Sequence, residues 1–372
     1  MVTHESSMMV VLSDVNSSPQ LLRILQDLQS ENCLIEIVFF GPKQMILSTT
    51  LEELGFKIKY ISRKSKFRTL FDFFTVVNIL LKRRPEKVFA SGQIATILGI
   101  SSAKLLKINH RVFIRHHSVL HHEENMKIGL LLDKLANHAA TFIIAVSESV
   151  EQVLIRKENV PKRKVVVIPN GIEIENFRTR YQQKTLRQNY SISAVNKFEI
   201  GVISRMTDWK GVEYTAEAFV ELQKIHPQSF LRIVGAFSDS YSTIMGILDK
   251  VDNNSFSVEV ETIDVPHFFS NLDLFIHVPV NREVEAFGLV YVEALASKVP
   301  CIFTVSGVLN QLESPEDFIH VVPFKNSTEI LMTMRKIIES KGSRKQEIPI
   351  KWINQFDLKT MSDNYLEVLL GD

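Results

Sequence analysis

The feature that most constrains the fold is a regular alternation of short apolar runs with longer amphipathic segments. The apolar runs have the length of strands and are rich in Val, Ile and Phe, as in 34–40 (LIEIVFF) and 198–203 (FEIGVI). The segments between them carry apolar residues at helical spacing, as in 19–29 (PQLLRILQDLQ). Strands that alternate with helices of this length form a parallel sheet with helices on both faces. We therefore predict an α/β, doubly wound fold.

The alternation is interrupted once, at residues 177–197, which are polar and lack a strong strand signal. A chain of 372 residues exceeds one typical core, so two domains are expected. We predict Rossmann-like domains at 1–178 and 179–356, and leave open whether the last helix, at about 357–372, packs back on the first. Ligands of parallel sheets gather at the carboxyl ends of the strands, so a central cleft faced by both domains is the expected site.

Composition and charge argue against several classes of protein. The chain is 45% apolar and 23% charged with a net charge of +1, so nothing global indicates nucleic acid as a partner. Cys33 and Cys301 lie in apolar runs without a CxxC pattern, which is typical of reduced, buried cysteines in the cytosol. Residues 1–14 lack the basic region of a signal peptide, and no apolar run approaches the roughly 20 residues that span a bilayer. A cytoplasmic protein is expected.

The strongest functional signal is the segment 285–293 (EAFGLVYVE), which lies between a predicted strand and a predicted helix. Gly288 stands at the helix start, where backbone N–H groups can face a negative ligand. Glu293 lies about one and a half turns into the helix and suits a ribose diol, which needs a hydrogen-bond acceptor. Glu285 precedes the helix and is expected to be free to meet a second hydroxyl group. The alternative is that both glutamates are solvated side chains of an ordinary helix.

Three segments in order carry a resemblance to a known family. They are 167–172 (VIPNGI), 203–211 (ISRMTDWKG) and 285–296 (EAFGLVYVEALA). Together they resemble the retaining, nucleotide-sugar-dependent glycosyltransferases of the GT-B architecture, which include many bacterial surface-polysaccharide and lipid-linked sugar transferases. The resemblance covers nearly the whole chain. It implies a hexosyltransferase-like enzyme without a cofactor, with a nucleotide-diphosphate sugar in the second domain and a sugar or lipid-linked acceptor in the first.

The resemblance also implies roles for residues of the second domain. Arg205 and Lys210 match the basic pair that holds the donor diphosphate, and a departing nucleoside diphosphate needs fixed positive charge where negative charge develops. Glu293 matches the residue that binds the ribose hydroxyls, and Glu285 matches the catalytic carboxylate placed at the donor sugar. The remaining donor-binding matches are Phe287, Gly288, Leu289 and Gly235.

The segment 115–124 (RHHSVLHHEE) follows a predicted strand and contains four histidines. The resemblance implies that His117 faces the donor sugar as a second catalytic residue, with His116 as its replacement if the register shifts by one. Arg115, His121 and His122 are then expected to line the acceptor side. His117 and His121 have a spacing that can bind a metal on a helix, but a loop is the better interpretation here because the segment directly follows a strand. We therefore predict no metal.

The chain also departs from the family. Many members have a glycine-rich loop after the first strand, whereas residues 13–19 read SDVNSSP. This leaves open whether that loop contacts the donor phosphates. Two other functions remain as alternatives: a nucleotide-sugar epimerase of the same architecture, and a non-catalytic subunit that binds nucleotide sugar or a partner transferase.

A basic, aromatic stretch lies at 57–87, where ten Lys or Arg side chains are interleaved with Phe67, Phe71, Phe73 and Phe74. Such a segment can lie on an anionic membrane surface, which would place the protein on the inner face of the membrane. Alternatively, the aromatic side chains face the core and the charged side chains face water. Both interpretations are compatible with the sequence.

Overall fold

The structure is a computed structural model that describes residues 6–13, 15–62, 69–116, 127–178, 197–260, 264–340 and 348–371. It divides into two compact units, Met1–Gly171 with Leu358–Asp372, and Ile172–Asp357. The division thus falls after Gly171, whereas the sequence placed the boundary at 178. The last helix of the chain belongs to the first unit.

The first unit is built on a seven-stranded sheet with the order β3-β2-β1-β4-β5-β6-β7, and all neighbouring strands are parallel. Strand β1, which has neighbours on both edges, is almost fully buried, as expected for a strand with helices on both faces of the sheet. The strands are β1 (Ser7–Ser13), β2 (Leu34–Phe40), β3 (Lys57–Ile61), β4 (Lys87–Ser91), β5 (His110–Arg115), β6 (Phe142–Ala145) and β7 (Val165–Val167).

The helices of the first unit follow the predicted alternation. Helix α1 begins at Pro19, and the Ser18 hydroxyl caps it by accepting a hydrogen bond from the Leu21 N–H at 3.2 Å. The helices are α1 (Pro19–Ser30), α2 (Ile46–Glu53), α3 (Thr69–Arg83), α4 (Gln93–Ala95), α5 (Ser101–Leu105), α6 (Lys127–Ala139), α7 (Glu148–Gln152) and, from the end of the chain, α14 (Leu358–Leu370). The π-helical segments Thr96–Ile100 and Val153–Lys157 join α4 to α5 and extend α7.

The second unit has a six-stranded parallel sheet with the order β10-β9-β8-β11-β12-β13. Its strands are β8 (Phe198–Ile203), β9 (Ser229–Val234), β10 (Phe256–Glu259), β11 (Leu274–His277), β12 (Cys301–Phe303) and β13 (His320–Val321). Its helices are α8 (Val212–Gln223), α9 (Tyr241–Leu248), α10 (Val265–Asn271), α11 (Leu289–Ala296), α12 (Ser327–Glu339) and α13 (Ile350–Asn354). Residues 174–178 are also helical.

In both sheets the strand order reverses at one place, between β1 and β4 in the first unit and between β8 and β11 in the second. The loops after such a pair of strands leave in opposite directions and open a crevice at the carboxyl ends of the strands. In the second unit, the loops after β8 and β11 carry Lys210 and Glu285. The prediction of two doubly wound α/β units is confirmed, and the reversal brings residues of two separate motifs to one edge of the sheet.

The differences from the predicted elements are small. The sequence predicts helix only over 51–54 (LEEL) in this part of the chain, whereas α2 begins at Ile46. The sequence did not indicate β13 or α13. A strand of two residues and a helix of five are too short to show a period. Within the described residues, no helix combines the length and the apolar character that crossing a bilayer requires.

Candidate active site

The candidate site lies where the loops after β8 and β11 meet. The first loop ends in a 3₁₀ turn, Asp208–Lys210, and in Gly211, whose φ of 68° is left-handed. A Cβ at Gly211 would lie 2.1 Å from the Val278 carbonyl oxygen, so only glycine lets the two backbones approach this closely. The Val280 N–H also donates to the Trp209 carbonyl at 3.1 Å. These contacts hold the two loops together and bring Lys210 to the end of β11.

Glu285 is the centre of the site. It is 5% exposed, and its Oε1 lies 2.5 Å from the Lys210 Nζ and 2.9 Å from the His277 Nε2. Its backbone N–H donates to the Ser306 hydroxyl at 3.3 Å. Both side-chain contacts are made by Oε1, and Oε2 has no hydrogen-bond partner among the described residues. One oxygen therefore positions the carboxylate, and the other keeps its capacity to accept hydrogen bonds.

The ionisation of this cluster follows from its contacts. Burial by itself would raise the pKa of Glu285, but the hydrogen bond from His277 and the charge of Lys210 outweigh it and lower that pKa to about 2. Burial lowers the pKa of His277, although Glu285 opposes that shift. Because an ionised carboxylate only accepts hydrogen bonds, the neutral imidazole donates from Nε2. Glu285 is thus a fixed anion that is paired through Oε1, and the expectation that it meets a hydroxyl group of a ligand stays a prediction.

His277 is a site residue that the sequence analysis missed. It is the last residue of β11 and is buried. Its ring packs edge-on against Tyr291 with the centroids 4.8 Å apart, and the Tyr291 hydroxyl donates to the Thr304 carbonyl at 3.1 Å. These contacts hold the imidazole in place. A single histidine at the end of an otherwise apolar buried strand was the only signal of its role.

The segment that follows Glu285 is held by a neighbouring loop. Phe287 is buried, and its carbonyl accepts a hydrogen bond from the Val308 N–H at 2.8 Å. Gly307 has a φ of 56°, and a Cβ there would lie 2.4 Å from the same carbonyl oxygen. Gly288, with a φ of 80°, caps α11, which begins at Leu289. The glycine at the helix start and the short loop before it are therefore both dictated by local packing.

Glu293 lies on α11, as predicted, and its environment differs from that of Glu285. Among the described residues, its carboxylate has no hydrogen-bond or ion-pair partner. The residue is only partly buried, yet burial raises the pKa of the carboxyl to about 7. Since no protein group stabilises the charged form, this carboxyl is available to the hydroxyl groups of a ligand.

Arg205 and Lys210 share one aromatic neighbour. The Arg205 guanidinium lies 5.3 Å from the centroid of the Trp209 ring, and the Lys210 ammonium lies 4.6 Å from it. Arg205 is exposed, whereas Lys210 is partly buried. Gly235 lies near the same loop, and a Cβ there would lie 1.9 Å from the Ser204 carbonyl oxygen. Packing of β9 against the loop after β8 therefore requires Gly235, with or without a nucleotide.

Two of the residues predicted to line the acceptor side, Arg115 and His116, are described by the structure and lie at a cavity of about 340 Å³ within the first unit. Arg115 is buried and pairs with Glu158 and, at 3.2 Å, with Asp133. The His116 Nε2 lies 3.0 Å from the Ser91 hydroxyl oxygen. Arg115, His116 and Asp133 all line the cavity, so Arg115 supports its wall as part of a buried ion cluster. His117, His121 and His122 lie outside the described residues.

The basic, aromatic stretch does not bury all its aromatic side chains. Phe71 and Phe74 on α3 are 60% and 59% exposed, and Phe73 is partly buried. The alternative in which the aromatic side chains face the core is therefore wrong for Phe71 and Phe74. Phe67 lies outside the described residues.

Family comparisons cover most of the chain. The family Glycosyl transferases group 1 matches residues 182–351, and Glycosyltransferase Family 4 matches residues 22–176. The chain is a glycosyltransferase of the GT-B fold. These matches confirm the resemblance to glycosyltransferases of the GT-B architecture.

Named relatives and a solved structure agree with this assignment. The capsular polysaccharide biosynthesis glycosyltransferase CapM of Staphylococcus aureus is 24% identical over 82% of this chain and 81% of its own. The alpha-monoglucosyldiacylglycerol synthase of Acholeplasma laidlawii is 27% identical over 46% of this chain, and the match spans only about half (47%) of that relative. A crystal structure of Anabaena HepE in complex with UDP-glucose has a TM-score of 0.79 at 19% identity, covering 98% of this chain and 100% of that one. The last likeness shows the fold.

Proposed function

We propose that this enzyme transfers a sugar from a nucleotide-diphosphate sugar to an acceptor hydroxyl with retention of configuration, in the assembly of a surface polysaccharide or glycolipid. The observation that carries the proposal is the cluster at Glu285. A buried carboxylate is held ionised by Lys210 and His277 through one oxygen, and its other oxygen has no partner among the described residues. A hydroxyl-bearing substrate supplies the donors that this oxygen lacks.

The donor is bound by three charged side chains with different tasks. Arg205 is exposed and is positioned by Trp209, so its guanidinium can form paired hydrogen bonds to the diphosphate. Lys210 is already fixed by Glu285 and Trp209. Its charge is therefore in place before the leaving group becomes negative, which is the preorganisation that favours a transition state. Glu293 accepts hydrogen bonds from the ribose hydroxyl groups.

The reaction breaks the bond between the anomeric carbon and the diphosphate oxygen and forms a bond from the same carbon to the acceptor oxygen. The acceptor proton passes to the departing phosphate oxygen, on the same face of the sugar. Glu285 stays ionised because its pKa is about 2. It therefore acts as a hydrogen-bond acceptor and as a negative charge near the sugar that becomes electron-poor, and it is not the proton donor. Arg205 and Lys210 neutralise the leaving diphosphate.

The acceptor belongs to the first unit in this proposal. The cavity beside Arg115 and His116 combines hydroxyl groups with an apolar wall that includes Leu21, Ile97 and Phe113. This mixture suits a sugar or a lipid-linked sugar. His117 completes the proposed catalytic residues, and His121 and His122 complete the proposed acceptor side. We place the enzyme in the cytoplasm, at the inner face of the membrane.

The first test is calorimetry with UDP, GDP, ADP, CMP and their common sugars. One nucleoside diphosphate is expected to bind selectively, and Lys210→Ala is expected to weaken it by about tenfold or more, because a charge-assisted contact is lost. Ile225→Ser, on the surface of the same unit, is the control and should bind as the wild type does. No binding by any nucleotide would overturn the proposed donor site.

A second experiment separates the remaining alternatives. Incubation of the donor with candidate acceptors, followed by NMR of the anomeric proton in the product, reports both transfer and configuration. An inverted linkage would overturn the retaining assignment. A new sugar formed without any acceptor would favour the epimerase, and nucleotide binding without any turnover would favour the non-catalytic subunit.

A further inference from the structure

Three helices on one side of the first sheet expose large apolar side chains. Helices α3 and α6 each pack against α5, so the three lie side by side. Together they form an outward surface that we call the α3–α5–α6 face. Its apolar side chains are more than half exposed, and they are Leu70, Phe74, Leu81, Leu105, Ile128, Leu131 and Leu135. Several large apolar side chains exposed on neighbouring helices are typical of an interaction site.

Helix α6 shows the feature most clearly. Ile128, Leu131 and Leu135 follow the i, i+3, i+7 spacing of a single apolar stripe, yet this stripe faces outward. The opposite side of the helix, which is buried, has small or polar residues, including Gly129, Asp133 and Ala136. Among the residues that the structure describes, nothing covers the large apolar side chains of α6.

The exposed charged side chains on the three helices are all positive. Lys82, Lys104, Lys127 and Lys134 are exposed. The acidic residues within α3, α5 and α6 are Asp72 and Asp133, and both are buried. On α6 the lysines flank the apolar stripe on one side. The α3–α5–α6 face is therefore apolar and cationic, without an exposed acidic side chain on these helices.

We propose that the α3–α5–α6 face docks on an anionic lipid bilayer. A helix with an apolar stripe flanked by lysines lies in the plane of such a surface, with the stripe among the acyl chains and the ammonium groups at the headgroups. In a two-fold interface with a second copy, the same face of each copy would meet, and the lysines would lie near one another. The second copy would offer no exposed acidic side chain on these helices to pair with them. Charge complementarity therefore selects the bilayer.

The inference rests on the proposed function in one respect: the acceptor sugar is carried by a membrane lipid. Helix α6 connects the membrane face to the candidate acceptor cavity. Its buried side provides Asp133 and Ala136 to the cavity wall, and its exposed side carries the apolar stripe. An enzyme that lies on the bilayer through this helix has its acceptor cavity on the other side of the same helix. The sequence stretch 57–87 includes α3 alone, and the structure adds α5 and α6.

The test is sedimentation of the full-length protein with vesicles of phosphatidylcholine alone or with phosphatidylglycerol added. Wild type is expected to bind the anionic vesicles and to be released by salt. Leu131→Ser with Leu135→Ser, and separately Lys127→Glu with Lys134→Glu, are expected to weaken binding by about tenfold or more. The control replaces two exposed apolar residues of the second unit, Ile225→Ser with Met332→Ser, and should bind as wild type does.

Three results would overturn the inference. The first is that the wild type does not bind anionic vesicles, and the second is that both α6 variants bind them as well as the wild type does. The third is light scattering that shows a dimer for the wild type and a monomer for the α6 variants. Donor affinity of each variant, measured by calorimetry, separates this inference from the proposed function. Loss of vesicle binding with unchanged donor affinity supports a separate membrane surface. Vesicle binding by a protein that binds no donor would leave the surface in place and overturn the proposed function.

Discussion

The two glutamates of the 285–293 segment have opposite pKa shifts, and the reason lies in their neighbours. His277 and Lys210 lower the pKa of Glu285 from its ordinary 4.5 to about 2 despite its burial. Its ion pair therefore stabilises the fold fully above about pH 4.5, and this stabilisation is lost as the pH falls through about 2. Glu293 has no charged partner among the described residues, and burial raises its pKa from 4.5 to about 7. Glu285 is held in place by protein groups before a substrate binds, whereas Glu293 has no such group among the described residues.

His277 is expected to act as a positioning residue for Glu285. His277→Phe keeps the ring volume but removes the Nε2 donor, so kcat should fall by about tenfold to a hundredfold while the KM for the donor changes little. In His277→Gln, the amide can donate to Glu285, and much of kcat should return. Equal loss in both variants, accompanied by equal loss of thermal stability, would contradict positioning and indicate a purely structural role.

The raised pKa of Glu293 predicts a pH dependence of donor binding. An ionised carboxylate accepts hydrogen bonds at both oxygens, whereas a protonated carboxyl donates from one of them, so the affinity for the nucleotide-diphosphate sugar that binds in the calorimetry should weaken as the pH falls through about 7. The nucleotide sugar is the suitable ligand because its phosphodiester groups do not titrate in this range. The slope should be absent in Glu293→Gln. That variant should also be more stable than wild type above about pH 7, where burying the charge destabilises the wild type, and equal in stability near pH 4.

At the scale of elements, glycines decide how closely the loops of the site approach one another. Gly211 and Gly307 both have positive φ, and a Cβ at either would collide with a carbonyl oxygen. The contact at Gly211 joins the loop after β8 to the end of β11, which is the contact that brings Lys210 to Glu285. The geometry of the charged cluster therefore depends on a residue without a side chain.

Gly211→Ala is expected to be destabilising by more than about 1 kcal/mol and to weaken donor binding, because backbone must move to admit the Cβ. Gly246, on α9, is the matched control: nothing lies within 4 Å of its added Cβ. Gly246→Ala should stabilise the protein by up to about 1 kcal/mol, since alanine favours a helix over glycine. Thermal unfolding measures both. A neutral Gly211→Ala would show that the loop adapts, and that this contact does not hold Lys210 in place.

At the scale of the whole molecule, the chain leaves the first unit after Gly171 and returns to it at Leu358. The returning helix, α14, packs against α1, and side chains of β4 and β5 form hydrogen bonds with its last carbonyl groups. The Lys87 Nζ donates to the Leu370 carbonyl at 2.6 Å, and the His110 Nε2 lies 2.9 Å from the Val368 carbonyl oxygen. Tyr365 is fully buried beside Phe89. Helix α14 thus contributes to the core of the first unit.

Tyr365→Ala is expected to destabilise the first unit by about 3–5 kcal/mol, the usual cost of removing a buried aromatic ring. The second unit has its own sheet and core, so donor binding should persist at temperatures where the first unit has unfolded. Hydrogen exchange of the two sheets, with and without nucleotide, measures this. Simultaneous loss of protection in both sheets would show that the units unfold as one.

Much of the fold followed from local patterns. The alternation of β-branched runs with amphipathic segments depends on residues that are close in the chain. It therefore located most strands and helices of both units, including β2 and β8 at their observed bounds. The motif at 285–296 identified the family for the same reason, because its glycine and glutamates are close in the chain. Short elements such as β13 were not predicted, since two residues are too few to show a periodic pattern.

The chain order of residue types therefore determined by itself the α/β class, the two doubly wound units and the family. Only the tertiary structure decided which groups meet. Lys210 and Glu285 are separated by 75 positions, and His277 joins them because β8 and β11 are neighbours in the sheet. Likewise, the stripe on α6 has the spacing of core residues, and only packing shows that its small side is buried and its large apolar side is exposed. Periodicity specifies an apolar side of a helix, but the element that covers it is chosen by the fold.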